Sequence, residues 1–335
     1  MALKYESLHN HTTASDGHID AIELLNKGYA EGFNIMALTD HDVLPNDDVL
    51  AKLKEYDGPT KWLTGVEISS GLPTELGGGA ASMFHILGLF VDPHNEALMQ
   101  HCKTAVAARN ERMERIVVNL RSLGFEITEA DCLADSGGEA VGRKNIARAL
   151  FRSKGYDEVM NRLRNMMAKE AVEDMEVAMQ YSRMMDGPAS DHAFVLFLSN
   201  DSYIEDVYVD YLYSIDMDKS VELIRNAGGI AVLAHWETIE KQVSLEMLEG
   251  FLKEKRLDGV ELRTSFTADN QDSLETKLRE IAERTGAVVT YGIDGHANKD
   301  IESFGRNQPL AERTIGQTAM LIERFTPDLT YSNLG

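Results

Sequence analysis

Short apolar, β-branched runs recur along the chain, each bordered by a histidine or a carboxylate and separated from the next by a helical pattern. IMALT at 35–39, WLTGVEI at 62–68 and FHILGLFV at 84–91 form one set. GIAVLAH at 229–235, DGVEL at 258–262 and AVVTYGID at 287–294 form another. Such alternation specifies an α/β fold whose parallel strands are joined by crossover helices. Between the sets, 96–220 is mostly helical and strand-poor, so it reads as an insertion into a single domain. The expected organisation is 1–95 as the first part of that domain, 96–220 as an inserted helical cap or substrate domain, and 221–335 as the second part.

Of the ten histidines, His9, His11, His41, His85, His235 and His296 lie at the ends of apolar runs. Carboxylates accompany them: Asp16 follows His9 by seven residues, Glu67 lies within GVEIS, and Asp294 precedes His296 by two. In an α/β barrel the carboxyl ends of different strands converge on one face, so the spacing predicts that all nine meet there. Side chains alternate along an extended segment, and His9 and His11 therefore point to the same side. Imidazole nitrogen with carboxylate oxygen suits Zn²⁺, Mn²⁺ or Fe²⁺ better than Ca²⁺. Cys102 and Cys132 form no Cys-x-x-Cys and build no thiolate site. Nine candidate ligands exceed what one ion takes while keeping an open position, which implies two or three metals. Neighbouring ions activate a shared water and clamp phosphoryl oxygens, which is hydrolytic chemistry.

Charge narrows the partners. Thirty-three basic residues against 55 acidic ones leave a net charge of −22, a field that repels long nucleic acid and anionic membrane. The longest apolar stretches fall short of a membrane span, and the first residues carry no apolar core of signal-peptide length. With two isolated cysteines, a reducing, cytoplasmic location is expected.

The segments LHNHTTASDG at 8–17, TDHD at 39–42, GVEIS at 65–69, FHILG at 84–88, AHW at 234–236 and GIDGH at 292–296 resemble, in order, the motifs of the PHP (polymerase and histidinol phosphatase) family. The resemblance implies a distorted, TIM-like (β/α)7 barrel with an inserted, mostly helical smaller domain. It also implies up to three divalent ions (Mn, Zn or Fe, with Mg as a further option) that hydrolyse phosphoesters. Carried over by motif, the ligands are His9, His11, Asp16, His41, Glu67, His85, His235, Asp294 and His296, with Glu67 bridging two ions. His9, His11, Glu67 and Asp294 would hold that pair, His85 and His235 completing the second ion's shell, and Asp16, His41 and His296 would hold a third. Asp40 and Asp42, which flank His41, are either further ligands or orienting groups. Ser7, Asn145 and Trp236 depart from the family pattern.

Two basic islands stand out in this acidic chain, 103–121 and 142–154. On a helix through 105–120 the apolar stripe is Met113, Ile116, Val117 and Leu120, with Arg109 and Arg112 one turn back along it. Guanidiniums that continue a buried stripe call for an anion, and Arg binds phosphate bidentately. The segments RNERM and GRKNIARAL also look like the arginine segments in the inserted region of nucleotide-phosphatase members of the family. Arg109, Asn110, Arg112 and Arg143 are the substrate-phosphate candidates. Methionines 160–185 read as core filler. His18, His94, His101 and His192 read as surface or capping residues.

The resulting expectation is a phosphatase acting on a small phosphomonoester, a nucleotide such as a nucleoside 3',5'-bisphosphate, through metal-activated hydroxide. The alternatives are a histidinol phosphatase, a 5'-3' exonuclease on short RNA, and, in another class, a nonhydrolytic PHP accessory module.

Overall fold

The computed structural model describes residues 4–78, 83–137, 140–187, 189–210, 213–263, 268–306 and 311–334. The chain divides into two compact units, 1–105 with 213–335, and 106–212.

The first unit is a nearly closed barrel of seven strands: β1 (Tyr5–Ser7), β2 (Phe33–Leu38), β3 (Lys61–Gly71), β4 (Phe84–Leu89), β6 (Ile230–Leu233), β7 (Gly259–Arg263) and β8 (Val288–Gly292), paired in that order. A two-residue strand, β5 (Ile215–Asp216), adds to the end of β3. All of these pairings are parallel except those of β4, which runs antiparallel to both β3 and β6. This corrects the expectation of uniformly parallel strands. Among the described residues between β3 and β4 there is only the short helical turn Thr74–Leu76, not the full helix that joins parallel neighbours, and the chain returns in the opposite direction. His85 therefore stands at the start of its strand rather than the end, paired with Ser69. Reversal of the strand brings its first residues to the rim where the other strands finish.

Alternation along β3 explains how one strand serves both core and site. Leu63 joins Leu8, Leu87, Leu89, Ile230 and Val232 in a buried cluster, with Leu321 of the C-terminal helix against it. Glu67, an even number of residues further on, continues the same face. Val66 and Ile68 face the other way and pack with Val221 and Ile224 of the helix Met217–Asn226, Leu248 and Leu252 of the helix Leu245–Lys253, and Ile281 of the helix Ala268–Thr285. Burying each such side chain contributes about 1.5–3 kcal/mol, which is the main force holding the helices to the barrel.

Helix ends are set by local chemistry. Asp20 accepts from the Glu23 amide to begin α1 (Ala21–Glu31), and Gly32, at φ 89°, ends it in the left-handed conformation. Glu6 in β1 performs a longer-range version of the same task. Its carboxylate accepts from the amides of Gly316 (2.9 Å) and Thr318 (2.7 Å) at the start of the C-terminal helix Gln317–Phe325, and the Gln317 side chain donates back to the Glu6 carbonyl.

The second unit is helical and has its own core. Met113, Ile116, Val117 and Leu120 on the helix Glu96–Ser122 pack against Phe125, Ile146, Leu150, Met160, Leu163 and Phe197. Met167 and Met184 are buried there too, but Met175 and Met179 are 80% and 71% exposed, so core filler describes only part of the methionine set. His101 and His192 are buried rather than superficial. His101 sits on the inward face of its helix and its Nδ1 lies 3.0 Å from the Tyr213 hydroxyl. Among the described residues no helix is long and apolar enough to cross a membrane.

Candidate metal centre

The segment after β1 carries two histidines on one side, and Asn10 between them locks the other. Its amide side chain donates to the carbonyls of Ser7 (3.1 Å) and Ala37 (2.9 Å) and accepts from the Ser7 hydroxyl (2.8 Å). His9 and His11 are thereby held inward, both fully buried, with their Nε2 atoms 3.1 Å apart. The loop after β2 is built in the same way. Asp40 accepts from the Thr12 amide and hydroxyl and the Ser15 hydroxyl, while Asp42 accepts from the Ser69 amide and hydroxyl. Both carboxylates are committed to fixing backbone on either side of His41, which favours the orienting role for them.

Glu67 is the hub. Its Oε2 lies 3.3 Å from His9 Nε2, 3.2 Å from His11 Nε2 and 2.9 Å from His41 Nδ1. Its Oε1 lies 3.1 Å from both His85 Nδ1 and His235 Nε2. Asp294 Oδ1 is 3.3 Å from His11 Nε2 and 3.6 Å from His296 Nδ1, and Asp16 Oδ1 is 3.2 Å from His296 Nε2. Three overlapping donor groups emerge among the described residues: His11, Asp16, His41 and His296; His9, His11 and Glu67; and His41, Glu67 and His85. The nine carboxylate and imidazole candidates lie together at one rim of the barrel.

Close approach is not the same as mutual satisfaction. His11 Nδ1, His41 Nδ1, His296 Nε2 and Glu67 Oε2 are buried and none has a hydrogen-bond partner in suitable geometry. Buried polar atoms left this way cost about 1–3 kcal/mol each unless something else meets them. Lone pairs converging on common points, rather than protons pointing at acceptors, fit divalent cations. The backbone carries strain here as well: His235 at φ 32° and Asp294 at φ 51° occupy the left-handed region, unusual for residues other than glycine.

The charge states follow from the packing. Burial opposes ionisation of Glu67, yet His41, His85 and His9 hold its carboxyl well below the usual range. Burial likewise opposes a charge on His11, but Asp294 and Glu67 prevail and raise it to about 9. On His41 burial prevails and lowers it to about 3. A metal ion needs an unprotonated imidazole nitrogen, so an ion bound at His11 would displace a proton. Mn²⁺ affinity is therefore expected to rise from pH 6.5 to about 9, with proton release seen by calorimetry in buffers of different ionisation enthalpy. In the metal-free protein the sign reverses. The stability contributed by the raised His11 is full below 6.5 and lost as pH climbs through about 9. A metal-free thermal midpoint that does not fall across this window would refute the assignment.

The sequence reading missed three residues. Glu261, in the middle of β7, accepts from His9 Nδ1 at 2.8 Å and from the His235 amide at 3.0 Å, fixing the His9 tautomer so that Nε2 is the inward nitrogen. Arg263, two residues on, donates to Asp294 Oδ2 (3.3 Å) and to Glu237 Oε1 (3.0 Å). A carboxylate at an inward position of the run DGVEL was the available signal. Gly292 on β8 makes room for this layer, since a Cβ there would lie 2.3 Å from Glu261 Oε1 and 2.4 Å from His9 Cβ. Trp236 lies in the core and donates to the Val243 carbonyl.

Arg109, Asn110, Arg112 and Arg143 belong to the second unit. Arg112 donates to the Val209 carbonyl at 2.6 Å and lies 5.2 Å from the Tyr208 ring centre. Burial, followed by the charge of Arg143, lowers its pKa to about 10, with Arg109 adding to the effect. Arg143 donates to the Leu198 carbonyl (3.2 Å), and Asn110 accepts from the Val141 amide (3.3 Å). Arg148 and Arg152 both pair with Asp135. Asn145 accepts from the Gly142 amide (2.8 Å) and caps the helix Arg143–Arg152.

No family model matches the chain. It is 31% identical to a 5'-3' exoribonuclease of Haemophilus influenzae, an alignment covering 94% of this chain and 98% of that one. It is 25% identical to a 3',5'-nucleoside bisphosphate phosphatase of Chromobacterium violaceum over 87% of this chain and 86% of that one. Among solved structures, a protein of Bifidobacterium adolescentis described as a metal-dependent phosphoesterase superposes with a TM-score of 0.62 at 24% identity, covering 87% of each chain. Together with the barrel and its rim of histidines and carboxylates, the likenesses to these two relatives establish a phosphoric ester hydrolase, and the chain belongs to the PHP family.

Proposed function

We propose that the chain removes phosphate from a small nucleotide, a nucleoside 3',5'-bisphosphate first among them, at a centre of two or three divalent ions. The observation that supports this most directly is the set of five histidine nitrogens within 3.3 Å of the two oxygens of one buried carboxylate, Glu67. His9, His11, Asp16, His41, Glu67, His85, His235, Asp294 and His296 would hold the ions. Bound there, Mn²⁺, Zn²⁺ or Fe²⁺ would supply Lewis acidity toward phosphoryl oxygens and lower the pKa of water. The protein's own part is to keep Glu67 and Asp294 ionised and to hold His9 Nδ1 through Glu261, so that Nε2 faces inward. Arg109, Arg112 and Arg143 neutralise substrate phosphate and Asn110 adds a hydrogen bond; Arg112, buried and repelled by the neighbouring Arg143 and Arg109, is stabilised by an anion.

A second reading, 5'-3' exonuclease action on short RNA, is favoured by the likeness to the Haemophilus influenzae exoribonuclease. Phosphate and nucleotide release with added Mn²⁺ separates the two across nucleoside 3',5'-bisphosphates, mononucleotides, histidinol phosphate and a 5'-phosphorylated short RNA. Inorganic phosphate from the bisphosphates supports the first reading, and mononucleotides from the RNA the second. No turnover of any of them would reject both. Arg143→Ala is expected to raise KM roughly tenfold, about 1.4 kcal/mol, with kcat largely kept. A fall in kcat at unchanged KM would count against a substrate-binding role.

A further inference from the structure

We propose that Arg263 is a positioning residue that sets the Asp294 carboxylate for metal binding, with Glu237 as its anchor; the inference rests on the metal-centre reading above. Residues two apart in a strand share a face, so Glu261 and Arg263 point from β7 toward the same rim. Each grips the outer atom of a candidate ligand: Glu261 holds Nδ1 of His9, and Arg263 holds Oδ2 of Asp294. β7 thus supplies none of the nine candidate ligands and orients two of them.

Asp294 needs such a grip. Its backbone is in the left-handed region, on the short link from β8 to His296. With Oδ2 held at 3.3 Å by Arg263, Oδ1 is left facing His11 and His296. Arg263 is itself fixed by its Nε on Glu237, a side chain only 3% exposed in the turn that follows His235. One guanidinium therefore lies between two carboxylates and compensates both. Without it, both carboxyl groups would lose a buried partner and Asp294 its preferred orientation. Lysine offers the charge but not the planar fork that spans two carboxylates at once.

The test uses the full chain, stripped with chelator and titrated with Mn²⁺ by calorimetry and electron paramagnetic resonance. Arg263→Gln is expected to weaken at least one Mn²⁺ equivalent by about 10- to 100-fold, and also to lower the thermal midpoint of the stripped protein, because two buried carboxylates lose their cation. Arg263→Lys should not restore the affinity. In an Asp294→Asn background, Arg263→Gln should add no further loss, because both changes remove the same interaction. If Arg263→Gln fails to fold, Glu237→Gln provides the same readout with a smaller expected loss. Wild-type Mn²⁺ affinity in these variants, additive losses in the double variant, or a raised KM with unchanged Mn²⁺ binding would each overturn the positioning role. A wild-type chain that binds no Mn²⁺ at all would instead remove the metal-centre reading, and this one with it.

Discussion

Glu67→Ala is expected to lower phosphate release by at least about a thousandfold, equivalent to about 4 kcal/mol of barrier. No other side chain is approached by so many candidate ligands: His9, His11 and His41 surround one of its oxygens, and His85 and His235 the other. Removing the carboxylate leaves these imidazoles without their shared anion and would take a ligand from the ions that the site would hold. Glu67→Gln should behave similarly despite its matched volume, because the charge is what the cluster requires. The barrel should survive both changes, since β3 is held by backbone pairing to β2 and β4 and by Leu63, Val66 and Ile68 in the core. Phosphate release and Mn²⁺ stoichiometry measured on the same preparation check this. Turnover within tenfold of wild type would be incompatible with Glu67 at the centre.

Gly292→Ala should affect stability and metal binding together. The added methyl group meets Glu261 Oε1 at 2.3 Å and His9 Cβ at 2.4 Å, both far inside van der Waals contact. Gly292 cannot easily retreat, because it is paired with Arg263 across the β7–β8 ladder. Overpacking of this kind costs about 1–3 kcal/mol. Here it falls on the pair that sets the His9 tautomer, so Mn²⁺ affinity should drop along with the thermal midpoint. Gly250→Ala is the control: nothing lies within 4 Å of a Cβ at that helical position, and the midpoint should hold or rise. Equal behaviour of the two variants would mean that the space at Gly292 is not needed.

Much of the site could be read from sequence because its residues follow short apolar runs at strand termini, where α/β folds gather their chemistry. Direction of a strand is different. FHILGLFV has the same pattern whichever way it runs, and the reversal of β4 depends on the connection before it, which composition does not encode. Glu261 escaped notice because one acid inside an apolar run looks like an outward-facing position until the neighbouring strands define which face is inward. The place of Arg109 and Arg112 on one helix was legible from spacing, but the carbonyls of Val209 and Leu198 that hold Arg112 and Arg143 belong to a distant stretch of chain. His101 and His192 were misplaced for a related reason, since their burial depends on contacts that no local pattern carries.

The Glu6 carboxylate ties the metal centre to the order in which the chain is made. β1 is only three residues long, and it delivers His9 and His11 to the rim. Its buried glutamate finds amide donors at Gly316 and Thr318, more than 300 residues later. Until those donors arrive, closing the barrel around β1 would bury a carboxyl group without its hydrogen-bond partners. During synthesis the first histidines therefore emerge long before the strand that positions them can settle, and a competent centre should appear only once the C-terminal helix has left the ribosome.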